Sequence, residues 1–206
     1  IFLLCLCRKI FSLNRFLFLD ILDIFLHVIF NISILKYVNK FIKIMGVVLS
    51  DFYKVMHIVT SLDFGGVEKH MENIASAYND SNFKHSFIAI GLGGSSEVKL
   101  RELGFEVICL GQQAKIPSYS AVLSLFKLFK RESVTVVHTH GAEANFHGLI
   151  AAWLAGVPVR IGEEIGIPAH SRLAKIIFAL AFKFSDRVIG VADAVVKWLY
   201  ESGEVR

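Results

Sequence analysis

Three short stretches of this chain hold residue types that could do chemistry. The first is His138-Thr139-His140-Gly141. In an extended segment side chains alternate, so both histidines point to one side. Such a pair can hold a metal ion, as in metal-dependent hydrolases, but no other strand end offers a clear partnering cluster, and no metal is expected. In the plainer reading, His138 is a core residue closing its strand and only His140 reaches solvent. The second stretch is Glu163-Glu164, flanked by Gly162 and Gly166. Paired carboxylates suggest acid–base work of the kind used in glycoside hydrolysis. Adjacent residues point different ways, however, and a solvated loop pair is the alternative. The third is Gly65-Gly66 with Glu68 just beyond. Two glycines opening a helix let a ligand approach the backbone, and the helix N–H groups then face an anion such as a sugar diphosphate. The spacing matches neither the dinucleotide fingerprint nor the phosphate loop that ends in Gly-Lys-Ser/Thr. A tight turn would need the same glycines. His70, His147 and His170 are scattered over helices and loops, where surface placement is expected.

The elements that must position these residues alternate along the chain. Strands are predicted over Tyr53–Thr60, His85–Gly91, Phe105–Leu110, Val134–His138, Val157–Ile161 and Arg187–Val191. Between and after them, helical spacing runs over Gly66–Tyr78, Ser95–Leu103, Ser118–Lys130, Glu143–Ala155, Ser171–Phe184 and Asp193–Glu201. Gly104, Gly156 and Gly203 sit where helices should stop. Strands that read as continuous apolar runs, each followed by a helix, imply a parallel sheet covered on both faces. Right-handed crossovers make it an α/β, doubly wound sheet. In such sheets ligands bind beyond the carboxyl ends of the strands, near the point where the strand order reverses. The three stretches above lie at those ends.

Composition separates the chain into two parts. Residues 1–44 consist mainly of Ile, Leu, Phe, Lys and Asn, and every Gly and Pro lies beyond them. Charges at Arg8, Lys9, Arg15, Asp20, Asp23 and Lys36 interrupt each candidate bilayer-spanning window, which needs about 20 apolar residues. A signal peptide would need a small-residue cleavage site, and none is present. Two readings stay open. One is an amphipathic membrane-associated segment, with Lys36, Lys40 and Lys43 adding positive charge. The other is translated upstream sequence: the segment favours residues with A+T-rich codons, and Met45 would be the true start. From 45 to 206 the composition is that of a globular domain. The net charge of +4 is spread along the chain rather than gathered in a stripe, so nucleic acid is not an expected partner. Cys5, Cys7 and Cys109 form no disulfide framework or zinc pattern.

Taken in order, the segments from about Tyr53 to Arg206 resemble the retaining GT-B glycosyltransferases called family 4. The resemblance rests on Lys54-Val-Met-His-Ile-Val-Thr-Ser-Leu62, Gly65-Gly66-Val67-Glu68 and Val136-Val-His138-Thr-His140-Gly141. It continues through Ala155-Gly156-Val-Pro158-Val-Arg160-Ile161 and Ser185-Asp186-Arg-Val-Ile-Gly-Val-Ala-Asp193-Ala194. It implies that residues 45–206 are the N-terminal, acceptor-side Rossmann-like domain of a GT-B fold. The active site of such enzymes lies in the cleft against a second domain. In that family the Gly-Gly loop lies against the donor diphosphate, which points to Gly65, Gly66 and Glu68. The histidine closing the fourth strand approaches the transferred sugar, a place that His140 fits. There it would hydrogen-bond to the sugar or to charge developing in the transition state. Glu164 is the further candidate for donor or substrate binding. No metal or other cofactor is implied.

The implied reaction is transfer of a hexose from a nucleotide sugar to a glycan or lipid-linked acceptor, with retention at the anomeric carbon. Surface polysaccharide or lipopolysaccharide synthesis is the implied setting, in the cytoplasm and at the inner face of the plasma membrane. Two departures count against a complete match. Ala192 stands where the family commonly has Ser, and the second, C-terminal domain that normally supplies the basic pair for the diphosphate is not in the sequence. The alternatives are a non-catalytic lone domain completed by a partner subunit, and a metal-dependent hydrolase using His138 and His140. On the leading reading, purified residues 1–206 alone transfer no sugar. Turnover near that of a two-domain relative would overturn it.

Overall fold

The computed structural model describes residues 53–77 and 82–205. The apolar segment 1–44 and Met45 lie outside the described residues. Six strands form one sheet: β1 Tyr53–Val59, β2 Phe83–Ala89, β3 Glu106–Cys109, β4 Val136–His140, β5 Val159–Glu164 and β6 Arg187–Gly190. Between and after them run α1 Gly66–Ala77, α2 Ser95–Glu102, α3 Tyr119–Glu132, α4 Ala142–Ala155, α5 Arg172–Phe182 and α6 Asp193–Ser202. The strand order is β3-β2-β1-β4-β5-β6, and every pair is parallel. The fold is thus the expected Rossmann-like α/β sheet, and its order reverses between β1 and β4.

Two strands run further than their apolar residues suggest. β4 continues through His140 and β5 through Glu164, and the ladder pairs His140 with Glu163. Hydrophobic pattern cannot register this extension, because the added residues are polar.

The sheet is packed on both faces. On one, Val59, Phe87, Ala89 and Val107 meet Met71 and Ala75 of α1 and Leu100 of α2. On the other, Met56, Ile58, Ile88 and Val137 meet Leu125, Leu128 and Phe129 of α3 and the alanines of α4. A third cluster joins Leu149 of α4 to Phe178 and Phe182 of α5 and to Val195 and Leu199 of α6. Helix α4 lies close on β4 because Gly148 faces Thr139: a β-carbon at 148 would collide with the Thr139 methyl.

Helix ends follow the expected chemistry in part. Ser118 and Ser171 cap α3 and α5 by accepting from Ala121 and Ala174 N–H. Gly156 and Gly203 close α4 and α6 in the left-handed conformation. Ala192 is the N-cap of α6 and has no side-chain oxygen to offer, so the departure at 192 removes a cap.

Gly141 carries the most demanding backbone. It turns β4 into α4 with φ 85 and ψ 167, a region populated almost only by glycine. Gly141→Ala should therefore lower stability by about 1–3 kcal/mol. Gly166→Ala, where an added β-carbon meets nothing, should change it by less than about 0.5 kcal/mol. Urea melts of both variants check the contrast.

Candidate functional site

The carboxyl ends of β1, β4 and β5 and the first turns of α1 and α4 surround a pocket of about 380 Å³. Its lining includes Thr60, Gly66, Glu68, His140, Glu143 and Glu164. The location follows from topology, since the crossovers after β1 and β4 leave on opposite faces and part where the strand order reverses. Gly65 and Gly66 open α1. The Gly65 carbonyl accepts the first helical bond from Lys69 N at 3.1 Å. A β-carbon at 65 would lie 2.5 Å from Glu68 Oε2, so glycine there makes room for that carboxylate to fold over the start of its helix. Ser61 Oγ donates to Glu68 Oε1 at 2.9 Å. Gly66 meets no atom where its side chain would be and leaves the backbone open.

Beneath the pocket floor, the sheet face that α1 covers carries a polar patch among its apolar residues. His57 on β1 stands directly opposite His138 on β4, and His140 opposite Glu163 on β5. Glu163 draws in three imidazoles. His140 Nδ1 lies 2.6 Å from Oε2, His138 Nε2 3.3 Å from the same oxygen, and His70 Nε2 of α1 3.3 Å from Oε1. A chain of contacts continues away from the pocket: His140 Nε2 to His57 Nδ1 at 3.0 Å, then His57 Nε2 to His85 Nδ1 at 2.9 Å. Burial pushes Glu163 toward the neutral acid, but the contacts from His138 and His140 prevail and hold it below the usual carboxylate range. Burial also drives His140 down to about 4 and His57 well below its ordinary value, and lowers His85.

Charge then dictates the tautomers. An ionised carboxylate only accepts, so His140 donates from Nδ1 and accepts at Nε2 from His57, which in turn accepts from His85 Nδ1. Asn145 braces the same strand ends. It accepts from Thr139 Oγ1 at 2.6 Å and donates to the Glu163 carbonyl at 2.9 Å.

Glu164 points away from this network, as alternation along β5 requires. Its carboxylate is buried, accepts from the Ile165 and Gly166 N–H groups, and leaves Oε2 without a hydrogen-bond partner. Burial raises its pKa to about 7. Nearby, His170 Nδ1 contacts Glu204 Oε1 at 2.8 Å.

Of the residues singled out from sequence, Gly66, Glu68, His140 and Glu164 border one pocket, while Gly65 caps the helix behind it. The two histidines of β4 exchange the places that the plainer reading gives them. The His140 side chain has 0% of its surface exposed and both ring nitrogens engaged, whereas His138 retains 17%. Register explains this: His140 lies a step nearer the α1 start and under His70. Nor are the scattered histidines surface residues. His147 is fully buried, donating to the Glu143 carbonyl and accepting from Ser118 N. His70 and His170 are each partly covered and each meets a carboxylate. His57 and His85 gave no signal in sequence, because a histidine inside an apolar run reads as one more strand residue.

Comparison with known proteins agrees with the fold. The family model described as Glycosyltransferase Family 4 matches residues 64–205. Over 60 residues the chain is 46% identical to UDP-Gal:alpha-D-GlcNAc-diphosphoundecaprenol alpha-1,3-galactosyltransferase of Escherichia coli. That match covers 29% of this chain and 16% of that protein. In structure, the chain is similar to the apo form of the lipopolysaccharide outer core galactosyltransferase WaaB, with a TM-score of 0.55 and 13% identity. The alignment spans 73% of this chain and 42% of WaaB, and at that identity it shows the fold alone. The matched regions therefore span less than half the length of either protein.

Glu164 makes stability depend on pH. A carboxyl whose folded pKa is raised from 4.5 to about 7 favours the folded state while protonated. That contribution is complete below the unfolded value and is lost as pH rises through about 7. Glu164→Gln should thus raise stability at pH 8 by about 1–3 kcal/mol and leave it little changed at pH 4. Paired urea melts at the two pH values check it; equal effects at both would contradict the burial argument.

Proposed function

Because the chain belongs to glycosyltransferase family 4, we propose that it forms the acceptor-side half of a retaining hexosyltransferase. The donor is a nucleotide sugar and the acceptor a glycan or a lipid-linked sugar, in surface polysaccharide or lipopolysaccharide synthesis. The activities named for the two galactosyltransferases above support that setting. No helix among the described residues is long and apolar enough to cross a membrane. The proposed place of work is the inner face of the plasma membrane, as a peripheral protein, where a lipid-linked acceptor would be met.

One observation carries the reading: two helix starts and three carboxylates converge on one pocket at the strand-order reversal. Glu68, Glu143 and Glu164 line it, and neither Lys nor Arg is among the lining residues. Carboxylates accept hydrogen bonds from sugar hydroxyls, and the N–H groups at the starts of α1 and α4 suit the partial charge of a diphosphate. Such a lining supports a sugar at the centre with phosphate at the helix starts. The diphosphate's remaining charge calls for basic groups from the donor-side half. His140 contributes from the floor. Held neutral between Glu163 and His57, it borders the pocket beside the turn at Gly141.

The test uses the whole protein, nucleotide hexoses and a GlcNAc-diphospho-lipid acceptor. The expected product retains the donor's anomeric configuration. Glu164→Ala and Glu68→Ala should each lower kcat/KM by at least about tenfold, a loss of roughly 1.4 kcal/mol in transition-state stabilisation. Inversion at the anomeric carbon, or no transfer from any nucleotide hexose, would overturn the reading.

A further inference from the structure

In a parallel sheet covered by helices the strand faces are ordinarily aliphatic. Here the face beneath α1 carries four imidazoles and a carboxylate, drawn from β1, β2, β4 and β5 and joined by His70 from the helix above. From this geometry we propose that His70, His140 and Glu163 form a binding site for a transition-metal ion of the zinc class, with His138 as an adjacent fourth donor.

The donor atoms of His70, His140 and Glu163 lie within 4.8 Å of one another. Around a tetrahedral zinc ion with bonds of about 2.0–2.1 Å, neighbouring donors stand roughly 3.3 Å apart. The His70 contact to Glu163 Oε1 is 3.3 Å and the His140 contact to Oε2 is 2.6 Å, so the second must open. His138 Nε2 is buried, makes no hydrogen bond, and lies 3.3 Å from Glu163 Oε2. A buried nitrogen left in that state is costly, and a metal beside Glu163 gives it a partner. Imidazole nitrogens with one carboxylate favour zinc, cobalt, nickel or copper, whereas magnesium and calcium prefer an all-oxygen shell.

The surrounding contacts suit such an ion. A ligating histidine usually donates its second ring N–H to a neighbour, which orients the ring. For His140 that neighbour is His57. When His140 turns its Nδ1 lone pair to the metal, its proton moves to Nε2, and His57 Nδ1 becomes the acceptor. His57 then donates from Nε2 to His85 Nδ1. The three rings change tautomer together and keep their three protons. His70, with 30% of its side chain exposed, leaves an access route from solvent. The ion would tie α1 to β4 and β5, a structural role independent of whether the pocket above transfers a sugar.

The experiment titrates the 206-residue chain, stripped with a chelator, with Co²⁺ followed by visible absorption. Zn²⁺ binding is followed by competition with a chromophoric chelator, and Mg²⁺ serves as the control. One ion per chain is expected, bound with a Kd below roughly 1 μM, together with a rise in Tm on adding Zn²⁺. Glu163→Gln and His70→Ala should each weaken binding at least tenfold, while His170→Gln, outside the cluster, leaves it unchanged. Should Glu163→Gln fail to fold by circular dichroism, His70→Ala, at a partly exposed position of α1, carries the test. Absence of a Co²⁺ spectrum at about 100 μM metal, or His70→Ala binding as wild type does, overturns the site. Neither result touches the proposed transfer reaction, which is measured separately.

Discussion

The buried carboxylate of Glu163 is the constraint around which this end of the sheet is arranged. An ionised group with 6% of its side chain exposed is tolerable only with polar partners around it. His140 of β4 donates to it from Nδ1, and the imidazoles of His138 on β4 and His70 on α1 stand 3.3 Å from its oxygens. Meeting that need ties the first helix of the domain to its fourth and fifth strands. It also commits His140 Nε2 to accept, which gives His57 and then His85 a place in the same chain of rings. A leucine at 163 would pack well with neighbouring strands but would leave three imidazoles without a shared partner. The contact is thus as much a device for alignment as for stability.

The pocket stands on that platform. Its floor is the end of β4, and its walls are the first turns of α1 and α4, each opened by glycine for a different reason. Gly65 leaves room for the Glu68 carboxylate, and Gly141 supplies a backbone turn closed to other residues. Glu164 belongs to the pocket and Glu163 to the platform, although they are neighbours in the chain. Strand alternation sends one carboxylate up to the ligand space and the other down to the histidines. Their opposite pKa directions follow: Glu164 is buried with one oxygen unpartnered and titrates high, while Glu163 is held ionised by the imidazoles.

Much of this was legible in the sequence. The alternation of apolar strand and amphipathic helix gave the parallel sheet, and the glycines at 156 and 203 end helices as their type suggests. The motifs at 65–68, 138–141 and 163–164 lie at strand ends, and most of their residues border one pocket. Less legible was the extent of β4 and β5, because polar residues inside a strand carry no hydrophobic signal. The buried roles of His70, His147 and His170 were equally hidden: a lone histidine on a helix has the same local pattern whether it faces water or a carboxylate from a distant strand.

By itself, then, the amino-acid order determined the element sequence, the fold class and the family, since these rest on local periodicity and on residues a few positions apart. Only the tertiary structure decided which histidines meet, which glutamate faces the pocket, and that His140 is closed from solvent while His138 is not. Those outcomes depend on parallel register between strands that are distant in the chain. His57 and His138 are brought opposite each other by the crossover, with no local feature of either segment to announce it.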